Sequence, residues 1–228
     1  MSNDARTAIL TRVRGALEHA RGATHGSERR RTAADREGSW SVPAQQRADR
    51  FGERLKSVGG HVWAPDTPED VGPTLRHVLG SLGPERIAIS DSPGLAELVH
   101  GFTRGRPSVT VLPASAGRTA LLEADVGVTG AQWGIAETGT LVLDASVERH
   151  RLVSLLPAVH VALLPVTAIL GTLGEALRAI RCDSGAVRGR AVTFVTGPSR
   201  TADIELTLVV GVHGPKELHV ILTPETVS

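Results

Sequence analysis

The sequence holds one cysteine, Cys182, in 228 residues. A single thiol excludes a disulfide framework, a Cys-x-x-Cys pair and an iron–sulfur ligand set within this chain. A redox cluster, if one is needed, must sit on a partner. Long hydrophobic runs are also missing, since the longest, Leu155–Leu170, is interrupted by Pro157, His160 and Pro165 and is too short to cross a bilayer as a helix. Met1–Ala20 is dotted with arginine and glutamate where a secretory signal would carry an apolar core. A cytoplasmic chain without a membrane segment is the expectation. Neither charge sign dominates. The formal net charge of +1 argues against a dedicated nucleic-acid binder, which needs a basic face to neutralise phosphates. Lys56 and Lys216 are the only lysines, and the abundance of arginine is attributed to genomic composition. No internal repeat is visible, and the familiar phosphate-loop, zinc and serine-hydrolase motifs are absent, so no metal site is expected.

What remains is ordinary globular composition, 41% hydrophobic and 21% charged, in a length that suits one sizeable α/β domain with an N-terminal appendage. The division falls near residue 44. Within residues 1–44, Asp4–Ala20 carries Ile9, Leu10, Val13, Ala16 and Leu17 on one helical stripe, with Asn3 or Asp4 to cap it. Arg21–Ser39 has no periodic apolar residues and reads as a flexible arm. A short helix on such an arm cannot bury its own stripe, so it calls for a second copy of the chain or another subunit to dock on.

From residue 45 to 228, short aliphatic runs alternate with helical patterns. Helices are expected at Gln45–Val58, from Thr67-Pro68 through Leu79, and at Pro93–Val99, Arg118–Glu123, Arg149–Leu156 and Leu173–Ile180. Strands are expected at His61–Trp63, Arg86–Ser90, Val109–Leu112, Asp125–Thr129, Thr140–Leu143, Ala158–Leu164, Ala191–Thr196 and Glu217–Thr223. This alternation predicts an open, largely parallel α/β sheet, whose ligand sites gather at strand ends.

The chemistry is expected in the loop between two of those strands, Gly134-Ile-Ala-Glu-Thr-Gly-Thr140. Gly134 and Gly139 let the backbone come close to a bound group, the N–H groups near Thr138 and Thr140 suit an anion, and Glu137 supplies an acid. The alternative is that Glu137 merely holds the turn through loop amides. Arg151 and Ser154 follow; an arginine beside a polar loop is a natural partner for a carboxylate or phosphate, although Arg151 serves equally well in a structural role. The second candidate is Gly197-Pro-Ser-Arg-Thr-Ala-Asp203, where Ser199 or Thr201 caps a helix whose first turn carries Asp203 and Glu205, and Arg200 joins the N–H groups in an anion pocket. His160, inside an apolar strand, reads as a core side chain. His213, between two glycines of a loop, is the better candidate for proton transfer.

Five strings in this order, Gly127-Val-Thr-Gly130, Ile135 to Val142, Arg151 to Pro157 with His160, Gly197 to Glu205 and Gly211 to Pro215, resemble the LUD domain of the lactate utilization protein C (LutC/YkgG) family over roughly Phe51 to Thr223. The resemblance implies a three-layer α/β/α sandwich similar to the NagB/RpiA/CoA-transferase fold. It also implies a part in oxidising L-lactate to pyruvate beside LutA-like and LutB-like iron–sulfur proteins, with no cofactor in this chain. Two functions from different classes follow. One is a non-redox subunit that binds a small carboxylate or another anion, with Arg151 and Arg200 as donors. The other is a stand-alone acyl or CoA transferase in which Glu137 attacks an acyl thioester to form an anhydride. A scaffold with a vestigial pocket is a third reading, and it requires Glu137 to be buried and bonded only to backbone.

Overall fold

Apolar side chains on both faces of a strand require cover on both sides, and the architecture answers that requirement twice. The computed structural model describes residues 42–145, 151–183, 191–201, 209–210 and 214–224. The expected Asp4–Ala20 helix and the arm behind it lie outside those residues, as do Asp203, Glu205 and His213.

In chain order the elements are α1 (Ala44–Ser57), β1 (His61–Trp63), α2 (Pro68–Leu82), β2 (Arg86–Ile89), α3 (Leu95–Thr103), β3 (Thr110–Pro113) and α4 (Arg118–Leu122). There follow β4 (Val126–Gly130), β5 (Trp133–Ile135), β6 (Thr140–Asp144), α5 (Arg151–Leu155) and β7 (Val159–Pro165). A 3-10 turn (Val166–Ala168), β8 (Ile169–Leu170), α6 (Leu173–Asp183), β9 (Val192–Val195), β10 (Arg200–Thr201), β11 (Val209–Val210) and β12 (Glu217–Thr223) complete the set.

Six strands form an all-parallel sheet in the order β1-β12-β7-β4-β2-β3. Strand periodicity sorts its side chains cleanly. Val126 and Val128, Val161 and Leu163, Ile87 and Ile89, and Ile221 pack with Val71, Leu75, Val78 and Leu79 of α2 and with Leu95, Val99 and Phe102 of α3. The alternate residues Ala162, Leu164, Leu218, Val220 and Leu222 pack with Phe51 and Leu55 of α1 and with Leu141 and Leu143. On that same face Ala88 meets Leu121 and Val153. Each large side chain buried in this way contributes about 1.5–3 kcal/mol.

Leu141 and Leu143 belong to a second sheet, β8-β5-β6-β9, in which β6 runs antiparallel to both β5 and β9. Its other face, Ile135 and Val142, rests with Leu170 on Ala176 of α6. This sheet is the main departure from the open parallel sheet expected of the sequence. Trp133–Ile135, read as part of a loop, is a strand that folds back onto β6, and the two flanking runs β4 and β6 lie in different sheets. The chain is thus a mixed α/β fold whose parallel sheet is covered on both faces. Among the described residues no helix is long and apolar enough to cross a membrane.

Candidate functional site

The turn from β5 to β6 carries the Glu137 motif. It is closed by Gly139 N–H donating to the Ile135 carbonyl at 2.9 Å and is held to β8 by Glu137 N–H donating to the Gly171 carbonyl at 3.1 Å. Both glycines of the motif are explained by packing. Gly134 is buried in β5, where a Cβ would come within 2.7 Å of Leu164 Cδ2. Gly139 has φ of +66° and lies directly against the backbone of Leu55 in α1, which leaves no room for a Cβ.

Glu137 is partly exposed, and its Oε1 accepts the Leu173 N–H at 2.8 Å. The side chain therefore satisfies a free donor at the start of α6, where the helix dipole favours an acid. The same helix end carries its own cap: Thr172 Oγ1 accepts the Glu175 N–H at 3.3 Å, and Glu175 Oε2 accepts the Gly171 N–H at 2.7 Å. The Thr172 contact is half of a capping box, and the glutamate reaches back to the N–H one residue before the cap. The motif's threonines form a chain of hydroxyls, Thr138 to Thr140 at 2.7 Å and Thr140 to Thr196 at 2.7 Å. Together with Ile135, Leu173, Leu177 and Phe194 these residues line an open cavity of about 450 Å³. Leu173, Leu177 and Phe194 are 40% or more exposed, so the rim is apolar, and among the described residues Glu137 is the one acidic group on it.

The remaining expected residues are not gathered there. Arg151 is exposed at the start of α5, and Ser154 is buried with its Oγ donating to the Arg151 carbonyl at 3.2 Å. Arg200 Nη2 donates to the Val58 carbonyl at 2.8 Å, placing a guanidinium over the C-terminal end of α1, where a cation is favoured. Gly197, with φ of +87°, packs on Val58, and Ser199 N–H donates to the Pro215 carbonyl. Arg200–Thr201 form a short strand antiparallel to Val209–Val210, and the helix expected to follow them lies outside the described residues. His160 is fully buried, and its Nε2 is hydrogen-bonded with Thr129 Oγ1 at 2.9 Å.

A second cavity, of about 320 Å³, was not signalled by any motif. It lies at the carboxyl ends of β2, β4, β7 and β12 and is lined by Ser92, Leu95, Gln132, Leu163, Thr167 and Thr223, among others, with no charged side chain among the described residues. Ser, Thr and Gln scattered through four connections leave no contiguous signal. Only the sheet order brings them together.

At the opposite end of the sheet, His61 and His219 pair across β1 and β12 with rings stacked at 4.5 Å. Trp63 Nε1 donates to His219 Nδ1 at 3.3 Å, so the remaining proton of a neutral ring is on Nε2, which faces Glu217 Oε2 at 3.4 Å. Burial holds the His219 pKa below its ordinary value, with His61 adding to that shift and Glu217 opposing it. His61, Glu217 and His219 bring potential ligand atoms within 4.8 Å of one another, with the two imidazole rings stacked at an interplanar angle of 18°.

Residues 48–223 match the LUD domain family. Among curated relatives, lactate utilization protein C of a Geobacillus species (strain WCH70) is 33% identical over 201 residues, covering 81% of this chain and 83% of that protein. Lactate utilization protein C of Geobacillus thermodenitrificans is 32% identical over 169 residues, covering 69% and 70%. The crystal structure of a DUF162 family protein from Deinococcus radiodurans superposes with a TM-score of 0.59 at 22% identity, covering 80% of this chain and 99% of that one, and so supports the fold.

Proposed function

The chain belongs to the LUD domain family, and on that premise we propose that it is a component of an L-lactate utilization system that binds a small carboxylate and leaves electron transfer to iron–sulfur partner proteins. The observation that carries this reading is the 33% identity to lactate utilization protein C over 83% of that relative's length. The single cysteine fits the division of labour, since Cys182 alone cannot ligate a cluster. LutA-like and LutB-like proteins are the partners that the resemblance implies. In the organism that carries this chain, deleting its gene is expected to abolish growth on L-lactate and spare growth on glucose, with both chain and growth restored from a plasmid. Unimpaired growth on L-lactate would sink the proposal.

A second reading keeps Glu137 as a nucleophile for acyl transfer. It is favoured by the position of that carboxylate on the rim of a cavity of about 450 Å³, with one oxygen held by the Leu173 N–H and the hydroxyl chain beside it. In this reading the glutamate oxygen attacks an acyl thioester and expels a thiolate, leaving an acyl-glutamyl anhydride. Trapping that anhydride with hydroxylamine from an acyl-CoA incubation would support it. No label on Glu137 would dismiss it. The same acidic rim makes the Glu137 cavity a poor host for lactate or pyruvate, because its described lining presents an acid and no cation to an anion.

A further inference from the structure

We infer that His61, Glu217 and His219 form a binding site for a divalent cation of the zinc class, which ties the edge strand β1 to β12 and is held on His219 through Nε2. The inference stands apart from the lactate reading, since it rests on side-chain geometry at the amino ends of these two strands.

Three observations carry it. First, two imidazoles and one carboxylate, with a fourth position left to water, are a donor set that zinc accepts, whereas magnesium and calcium prefer oxygen donors throughout. Second, the strands bring the donors together. His61 and His219 are register partners across β1 and β12, Glu217 lies two residues before His219 and so on the same face, and the three ligand atoms are within 4.8 Å of one another. Third, Glu217 Oε2 and His219 Nε2 are 3.4 Å apart. That is long for a hydrogen bond to a carboxylate, which closes to about 2.7–2.9 Å, but it suits two donors that share a tetrahedral zinc at about 2.0–2.2 Å from each.

The arrangement also admits an ion from solvent. His219 forms the floor, with a side chain only 6% exposed, while Glu217, at 51%, and the exposed His61 stand at the mouth. Among the described residues no lysine or arginine forms an ion pair with Glu217, which leaves its charge for a cation. No zinc motif marks the site in the sequence, because the donors come from the first and the last of the described strands.

Two adjustments accompany binding. The exposed His61 ring turns out of its stack on His219 to aim a nitrogen at the ion. On His219 the ion takes the place of the Nε2 proton, and a neutral ring then carries its one proton on Nδ1, having exchanged it through solvent. There it meets the Trp63 N–H, which in the metal-free chain donates to Nδ1 at 3.3 Å. Two donors then face each other, and the indole gives way. Trp63 therefore restrains affinity where a zinc-bound histidine ordinarily has an acceptor. In return, β1, which has three residues and pairs with β12 alone among the described strands, gains a second attachment.

The test is calorimetric titration of the untagged full chain with zinc chloride, repeated on His61→Ala, Glu217→Gln and Trp63→Phe, with melting temperatures recorded in zinc and in magnesium. Zinc binding should weaken about ten-fold or more in His61→Ala and in Glu217→Gln, and tighten about ten-fold in Trp63→Phe, the size of effect that outer-shell partners exert on a metal ligand. Zinc should raise the melting temperature of the wild type but not of His61→Ala, and magnesium should raise neither. Because His61→Ala removes an exposed ring, the metal-free chain should melt within about two degrees of the wild type, so lost binding is not lost folding. Equal zinc binding by the wild type, His61→Ala and Glu217→Gln would place the ion elsewhere and overturn the inference, as would a magnesium shift equal to that of zinc. Weaker binding in Trp63→Phe would overturn ligation through His219 Nε2.

Discussion

The two cavities of this protein are built on different principles. The Glu137 cavity belongs to one contiguous motif: Glu137, Thr138 and Thr140 lie within four residues, and α6 and β9 supply the rim. The strand-end cavity collects residues from Ser92 to Thr223, each unremarkable in its own segment, and it exists only because β12 enters the sheet beside β7. In the first, the polar groups are already engaged, Glu137 with the Leu173 N–H and the threonines with one another. In the second, the Thr223 hydroxyl is buried without a hydrogen-bond partner among the described residues. A motif conspicuous in sequence can thus be partly explained by what it does for the fold, and a cavity can form without any motif.

The sharpest way to break this comparison is to remove the Glu137 turn. Gly139→Val forces a side chain into the backbone of α1 at a positive φ, and it should cost about 3–5 kcal/mol, read as a fall in melting temperature of roughly 10 °C. A fall of only a degree or two would mean that the turn is not seated on α1 as described. Glu175→Ala leaves the Gly171 N–H without its acceptor and should cost about 1–3 kcal/mol in chemical denaturation, loosening the α6 side of the Glu137 cavity. Glu137→Gln keeps an oxygen for the Leu173 N–H and removes only a charge at a helix start, so stability should drop by about 1 kcal/mol at most. Growth on L-lactate should persist under the binding reading and fail if Glu137 is a nucleophile.

The smallest expected effect lies far from both cavities. Because the folded His219 pKa is lowered, chiefly by burial, the unfolded chain takes up the proton first, and the stability this contributes is present above the ordinary value of 6.5. It is lost as pH falls through 6.5 toward the lowered value. Melting curves of the wild type should slope downward across that window more steeply than those of His219→Gln. Identical slopes would detach the titration from His219.

Much of this fold was legible because each parallel strand is an apolar run bounded by helix signals. Helix α1 begins at Ala44, one residue from its expected start, and β12 coincides with the expected Glu217–Thr223. The same cues failed where three residues suffice for a strand. Trp133-Gly134-Ile135 is too short and too glycine-rich to stand out, although its pairing with β6 founds the second sheet. The pairing of Arg200 and Thr201 with β11 is likewise a tertiary choice that local propensity does not record. For the sites, the Glu137 motif was visible as a cluster of chemically capable residues. Its Leu173 partner, 36 residues away, was not. Arg151 and Arg200 were singled out by type, whereas the carbonyl that Arg200 serves depends on where α1 ends.

The strand order carries one more consequence. Among the described strands β12 is the last in sequence, yet it occupies an interior place, between β1, the first of them, and β7. On the ribosome, β1 has no neighbour in its sheet until residues 217–223 have been made. Such a long-range closing step makes assembly slow and leaves an open seam in the nascent chain. A stop codon ahead of Glu217 would leave the parallel sheet split between β1 and the other four strands.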